Sequence, residues 1–281
     1  MSVDFSLVKE LREKTGVGLV KCKEALLEAK GDLEEAIVVL RKAGALSAAK
    51  RSDRITGEGY IGLAENESGL ALVELNCETD FVAKTATFTE FANRLAQVTL
   101  EGRVSSVEEL SQLSFPESSA ISIEGERSSL VQKTGENIQI RRVLFFPKKA
   151  GHSYGVYPHL GNRAVGVVAL LCSGQERLAK ELAVHVVAFA PKFLSEKDVP
   201  QDILRQERDI GLCQAKEKPQ AIAEKIAEGK VRDFLAQVCF LHQRSMSEPK
   251  LSVSEWIKRE EKQTNASISV ASFFCWRLLG E

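Results

Sequence analysis

Near the start of the chain, apolar residues recur every three or four positions and polar residues fill the gaps. Over residues 4–44 this pattern predicts three short amphipathic helices. The first puts Leu7, Val8 and Leu11 on one face and stops at Thr15-Gly16. The second carries Cys22, Ala25, Leu26 and Ala29 at i, i+3, i+4, i+7 spacing. Gly31 ends it, and Asp32 with Glu35 opens the next helix in the manner of a capping box. The third carries Ala36, Ile37 and Leu40 and is expected to end at Gly44. A unit of about 40 residues is near the lower limit for independent folding, and such units usually present a small surface to a partner. Residues 45–57 are small, polar and basic and read as a linker.

From Gly59 the pattern changes. A strand (YIGLA) runs to a turn at Glu67-Ser68-Gly69, and a second strand (LALVELNC) leads into a helix over about 79–100. The same order returns later, with a strand around 153–158, a turn at Gly161-Asn162, a strand AVGVVALLC and a helix over about 175–190. Each half closes with a short helix (VEELSQL or VSEWIKRE) and a terminal strand (IQIRRVLFF or ISVASFFCWRLL). Element order therefore predicts an internal duplication. The fold class is α+β, with the three-helix module at residues 1–54 and two related subdomains at 55–148 and 149–281, each an antiparallel three-stranded sheet backed by helices. The second subdomain holds an insertion over 191–245, punctuated by Pro200, Pro219 and Gly229, with apolar residues at helical spacing. A helical hairpin is expected there, packed on its own domain or offering its apolar stripe to another protein.

Composition narrows the class. Apolar residues make up 44% and charged residues 27%, as in ordinary globular proteins. A net charge of −1, from 38 basic and 39 acidic residues, provides no bulk attraction to nucleic acid or an anionic membrane. The apolar run at 164–172 is too short to span a bilayer, and the opening MSVDFSLVKE has no signal-peptide pattern. The six cysteines are scattered, without a CxxC pair, which suits a reducing compartment. A cytoplasmic location is expected.

Enzyme chemistry finds little support. None of His152, His159, His185 and His242 lies in an HExxH pattern or beside paired cysteines. Neither a serine nucleophile elbow nor a phosphate loop is expected. The expectation is no metal, no cofactor and no covalent chemistry. His185 sits in an apolar helical stretch and reads as a core histidine; His159 reads as an exposed loop residue.

One segment invites two accounts. Asn76-Cys77-Glu78-Thr79-Asp80-Phe81-Val82-Ala83-Lys84 lies where a strand hands over to a helix. Thr79 or Asp80 is a natural N-cap. Phe81 stands seven positions before Phe88, so it could extend the stripe of Phe88, Phe91, Ala92 and Leu95 into the core, and periodicity alone favours that. The other account leaves Phe81 exposed as an aromatic anchor for a partner's pocket.

At this segment the chain resembles the elongation factor Ts family. The signature TDFVA is present as Thr79-Asp80-Phe81-Val82-Ala83. The opening run VKELREKTGVGLVKCKEALLEAKGDLEEAIVVLRKAGALSAAK, GENIQIRRV at 135–143, YPHLGNRAVGV at 157–167 and PQAIAEKIAEGKVRDF are also similar to the family, in order along nearly the whole chain. The resemblance implies a ubiquitin-associated-like opening module that contacts the GTPase domain of elongation factor Tu, two related core subdomains, and nucleotide exchange on that GTPase. It implies that Asp80 and Phe81, with Thr79 and Val82 beside them, enter the partner near its magnesium and nucleotide site, and that His159 is a further contact. It makes the insertion a dimer contact in some members, and a homodimer through it a candidate assembly. The balanced charge, in turn, argues against a nucleic-acid or membrane partner. Two departures stand out: Thr85 occupies the place of the usual Asn, and Gln243-Arg244-Ser245 replaces the common Gln-Pro-Phe. A structural adaptor built on the three-helix module is the alternative to an exchange factor.

Overall fold

The computed structural model describes residues 4–280, with the side chains of all but 118–120. Capping groups set the first boundaries. Asp4 accepts the Ser6 N–H at 3.0 Å and starts α1 (Phe5–Thr15), which ends at Gly16 with φ 68°. α2 (Leu19–Glu28) follows, and Asp32 accepts the Glu35 N–H at 2.9 Å to start α3 (Leu33–Ala49). Val8, Leu11, Cys22, Leu26, Ala36 and Leu40 bury one face of each helix in a small shared core.

Residues up to Lys148, together with Leu278–Gly280, make one compact unit, and Lys149–Arg277 make another. After the three helices, the first unit contains β1 (Glu58–Glu65), β2 (Gly69–Cys77), α4 (Asp80–Ala83) and α5 (Ala86–Gly102). It continues with α6 (Val107–Gln112), a small hairpin of β3 (Ser114–Phe115) and β4 (Ser118–Ser122), α7 (Ile123–Thr134) and β5 (Ile138–Pro147). The main sheet is antiparallel in the order β1-β2-β5, and the central strand β2 is buried along its length. Its one buried carboxylate, Glu74, is paired with Arg142 at 2.7 Å and Arg141 at 3.2 Å and accepts the Leu279 N–H at 2.8 Å. A buried charge needs such pairing to be tolerated.

The second unit contains β6 (Ser153–His159), β7 (Ala164–Leu170), α8 (Glu176–Phe189), α9 (Gln201–Gln214), α10 (Gln220–Val238), α11 (Val253–Thr264) and β8 (Val270–Arg277). Its sheet runs β6-β7-β8, again antiparallel with the central strand buried. α9 and α10 are the hairpin expected in the insertion, and Phe193, Val199, Ile203, Leu235 and Cys239 pack at its base.

The likeness of the two sheets extends to a shared contact. A Cβ placed on Gly62 would lie 2.1 Å from the carbonyl oxygen of Ala92, and one on Gly155 would lie 2.1 Å from that of Ala179. In each unit a glycine in the first strand lets the following helix, α5 or α8, lie backbone on backbone against the sheet. Gly62 pairs with Val73, four residues before Cys77, and Gly155 pairs with Val168, four residues before Cys172.

Four expectations need correction. α3 runs through Gly44 to Ala49, because Gly44 is buried where α3 crosses α7: a Cβ there would sit 3.3 Å from the Ser128 carbonyl. The small residue marks a close approach of helices, which locally resembles a stop. Residues 113–134, which the periodicity left without elements, contain a hairpin and α7, whose buried positions include Ser128 and Gln132 and so blur the apolar stripe. It is α7, not the VEELSQL helix α6, that leads into the closing strand, as α11 does in the second unit. Finally, the helix expected over 79–100 is two helices. Thr85 lies between them, and its hydroxyl accepts the Phe88 N–H at 3.4 Å as the N-cap of α5.

A strand-to-helix corner as candidate functional site

The two units differ where the second strand hands over to the helix. Fifteen positions separate Cys77 from Ala92, but seven separate Cys172 from Ala179. The extra length in the first unit is the single turn α4 and its flanks, residues outside the shared sheet-and-helix framework.

The N-cap of α4 is Thr79, whose hydroxyl accepts the Val82 N–H at 3.4 Å. Asp80 does not cap, contrary to one of the sequence options. Its carboxylate pairs with Lys84 at 2.6 Å, and that ammonium holds the Asp80 carboxyl below its ordinary range. Around this one turn the side chains divide sharply. Ala83 is buried in the core, Val82 packs half-buried against it, and Phe81 is 81% exposed. Phe88, Phe91, Ala92 and Leu95 form the buried stripe of α5 without Phe81. The i, i+7 relation fails because it holds only within a continuous helix, and Thr85 restarts the count. Leaving a phenylalanine in water forgoes about 1.5–3 kcal/mol relative to burying it, so a ring held out this far is a feature that the fold's stability does not require.

A clasp from the GENIQIRRV stretch holds the base of the corner. The Glu136 carboxylate accepts the N–H groups of Glu78 (3.1 Å) and Thr79 (3.0 Å) and the Thr79 hydroxyl (2.5 Å). In return, the Asn137 N–H donates to the Glu78 carboxylate at 2.7 Å. The Asn137 amide also donates to the carbonyls of Ser52 (3.2 Å) and Arg54 (2.9 Å), and Gln139 donates to Ser52 at 3.0 Å. The segment after α3 is thus stitched to the sheet. In the sequence, Ile138 onward reads as the closing strand, while Glu136 and Asn137 before it carry no assigned part. The sequence held no signal for the clasp, because its two sides are nearly sixty positions apart and α7, which precedes Glu136, has no clean apolar stripe.

Cys77, also at the corner, is inert. Its thiol is buried and donates to the Thr79 carbonyl at 3.2 Å. Burial, reinforced by the negative Glu136, pushes it up to about 12, far from a reactive thiolate.

His159 lies in the second unit as the last residue of β6 rather than in a loop. It is half-buried, and its Nδ1 sits 3.1 Å from the Tyr157 hydroxyl. The turn beyond it passes through left-handed backbone at Leu160, Gly161 and Asn162, with Leu160 open to solvent. His185 is a core histidine, as expected. Its Nε2 donates to Gln243 Oε1 at 2.9 Å, its Nδ1 accepts the Met246 N–H at 3.3 Å, and burial lowers its pKa. In the Gln243-Arg244-Ser245 stretch, Gln243 and Ser245 are both buried and hydrogen-bonded, so it has an internal role here.

One pattern runs against the expectation of no nucleophile elbow. Gly151-His152-Ser153-Tyr154-Gly155 matches G-x-S-x-G. Its setting excludes that chemistry: Ser153 is buried at the start of β6, donates to the Cys172 carbonyl at 2.6 Å and accepts the Gln175 N–H at 2.8 Å. A nucleophile elbow needs an exposed hydroxyl on a strand-to-helix turn. Gly57-Glu58-Gly59-Tyr60-Ile61-Gly62 likewise reads G-x-G-x-x-G but runs into β1, where no helix start follows to receive a phosphate. Among the described residues, no three His, Cys, Asp or Glu side chains gather to hold a metal ion, and no helix is long and apolar enough to cross a membrane.

Comparison with known proteins agrees with the motif set. The profile of the family described as elongation factor TS matches residues 78–280. The chain is 42% identical over 278 residues to an elongation factor Ts of Protochlamydia amoebophila, covering 99% of each chain. It is 42% identical to that of Chlamydia trachomatis serovar L2 and 41% identical to that of Chlamydia muridarum, covering 98% of this chain and 99% of the relative in both cases.

Proposed function

The chain belongs to the elongation factor Ts family and is a translation elongation factor; from that premise we propose that it is the guanine-nucleotide exchange factor of elongation factor Tu. The observation that carries the reading is Phe81, a large aromatic ring 81% exposed on a corner whose base is fixed. A GTPase holds GDP through phosphate contacts and a magnesium ion that carries much of the local charge. Phe81 enters between helices of the partner and displaces the groups around that metal. Asp80 sets a negative charge beside the ring, Thr79 ends the strand and starts the turn, and Val82 roots the turn in the core. His159 makes a further contact from the second unit, and the three-helix module docks on the GTPase domain.

Linkage governs the cycle. If the factor weakens GDP binding by some ratio, GDP weakens factor binding by the same ratio. GDP leaves, GTP enters, and the factor departs with no covalent bond made or broken. The reading needs no cofactor, nucleic acid or membrane, and it places the protein in the cytoplasm, where elongation runs. The α9–α10 hairpin leaves Ile210, Ile222 and Ile226 partly open to solvent and is the surface proposed for a homodimer.

The test is release of fluorescent GDP from purified elongation factor Tu. Truncating a buried aromatic anchor costs an interface about 2–4 kcal/mol, so Phe81→Ala is expected to slow release well over tenfold with an unchanged melting profile. Wild-type release by that variant would reject the reading, and a wild-type protein that binds without speeding release would be an adaptor.

A further inference from the structure

The exposed ring of Phe81 is not held by its own packing. α4 is one turn of four residues, too short to sustain itself. Val82 and Ala83 root its apolar side in the core. On its polar side, the two N–H groups that begin the corner and the Thr79 hydroxyl all converge on one side chain, the Glu136 carboxylate, at 3.1, 3.0 and 2.5 Å. Glu136 is itself placed between two fixed points: Gly135, which ends α7 in left-handed backbone at φ 79°, and Asn137, whose N–H returns a bond to the Glu78 carboxylate. The clasp therefore runs in both directions between the end of β2 and the start of β5.

We infer that Glu136 is a positioning residue for nucleotide release, clamping Glu78 and Thr79 so that Phe81 is presented at a fixed angle to the GTPase. This rests on the exchange role proposed above. A ring on a loose base must be ordered during binding and yields when it pushes; a clamped ring is pre-organised and passes the displacement to its partner. Docking, by contrast, draws on the rest of the contact surface. Loss of the clamp therefore falls on the rate of GDP release within the complex and largely spares the formation of the complex.

The experiment measures fluorescent GDP release from purified elongation factor Tu across a range of concentrations of the full-length protein. It yields a maximal rate and a half-saturating concentration for wild type, Glu136→Ala, Glu136→Gln and Phe81→Ala. Losing charge-assisted hydrogen bonds at a positioning group is expected to lower the Glu136→Ala maximal rate about tenfold while the half-saturating concentration stays within about threefold. Glu136→Gln keeps an amide oxygen for the backbone N–H groups and is expected to recover to within about threefold of wild type. In Glu136→Ala the amides of Glu78 and Thr79 should exchange hydrogen faster while those of β1, β2 and α5 match wild type.

A wild-type maximal rate in Glu136→Ala, a defect confined to the half-saturating concentration, or no recovery in Glu136→Gln overturns the inference. Should Glu136→Ala fail to fold, Glu136→Asp, whose shorter side chain draws the carboxylate back from the Glu78 and Thr79 N–H groups, is judged by the same two parameters. Normal release by Phe81→Ala would defeat the exchange reading itself. Slow release by Phe81→Ala beside normal release by Glu136→Ala would defeat the clamp alone.

Discussion

Phe81 and Phe88 stand seven residues apart, yet Phe88 is fully buried on the inner face of α5 and Phe81 is 81% exposed on the turn before it. Thr85 separates them. It ends one helical count and begins another, so two rings that a continuous helix would align face opposite environments.

The Thr85 hydroxyl is therefore expected to matter to stability in proportion to an N-cap. Thr85→Ala should cost about 1 kcal/mol in urea denaturation, and Thr85→Asn should be close to neutral because Asn caps at least as well. A neutral Thr85→Ala would mean that packing of α5 alone sets the break.

Gly62 and Gly155 are expected to be intolerant of a methyl group for the same reason. A Cβ on either would meet a backbone carbonyl at 2.1 Å or less, and backbone cannot swing aside as a side-chain end can. Gly62→Ala and Gly155→Ala should each cost at least the upper part of the usual 1–3 kcal/mol range for overpacking, or about 3 kcal/mol, measured by thermal or urea unfolding. A gain in stability in either variant would show that helix and strand have room to part.

His185 makes the second unit sensitive to acid. Burial lowers its pKa below the ordinary 6.5, and the hydrogen bonds from Met246 N–H and to Gln243 suit the neutral ring, as do the flanking rings of Phe189 and Phe240. Below about pH 6.5 the unfolded chain takes up a proton that the folded protein refuses, so stability falls with pH. The contribution is whole above that pH and lost as pH drops toward the folded pKa. Urea titrations at pH 7.5 and 5.5 should show a larger drop in wild type than in His185→Gln. Equal drops would place the acid sensitivity elsewhere.

Much of the framework was legible because each sheet repeats the same order of elements, and because caps such as Asp32 and Gly16 announce themselves locally. What escaped had physical causes. Gly44 looks like a helix stop but is a contact between helices, a fact that lies in the partner helix. α7 buries Ser128 and Gln132 and so lacks a clean apolar stripe. At the corner, residue types left Phe81 two options, and periodicity favoured the buried one, which fails because Thr85 interrupts the helix. The function of Glu136 was invisible because its partners, Glu78 and Thr79, lie nearly sixty positions away and two of the three groups it holds are backbone.

The contact between Gly62 and Ala92 closes just beyond the corner, while Cys77 pairs with Ile138 just before it. Both ends of the protruding turn are thereby pinned to the same sheet, leaving it free to lose its shape without taking the sheet along. Substitution of the exposed Phe81 or the partly exposed Asp80 therefore carries little penalty to folding, so the surface shown to a partner can change while the scaffold beneath it stays the same.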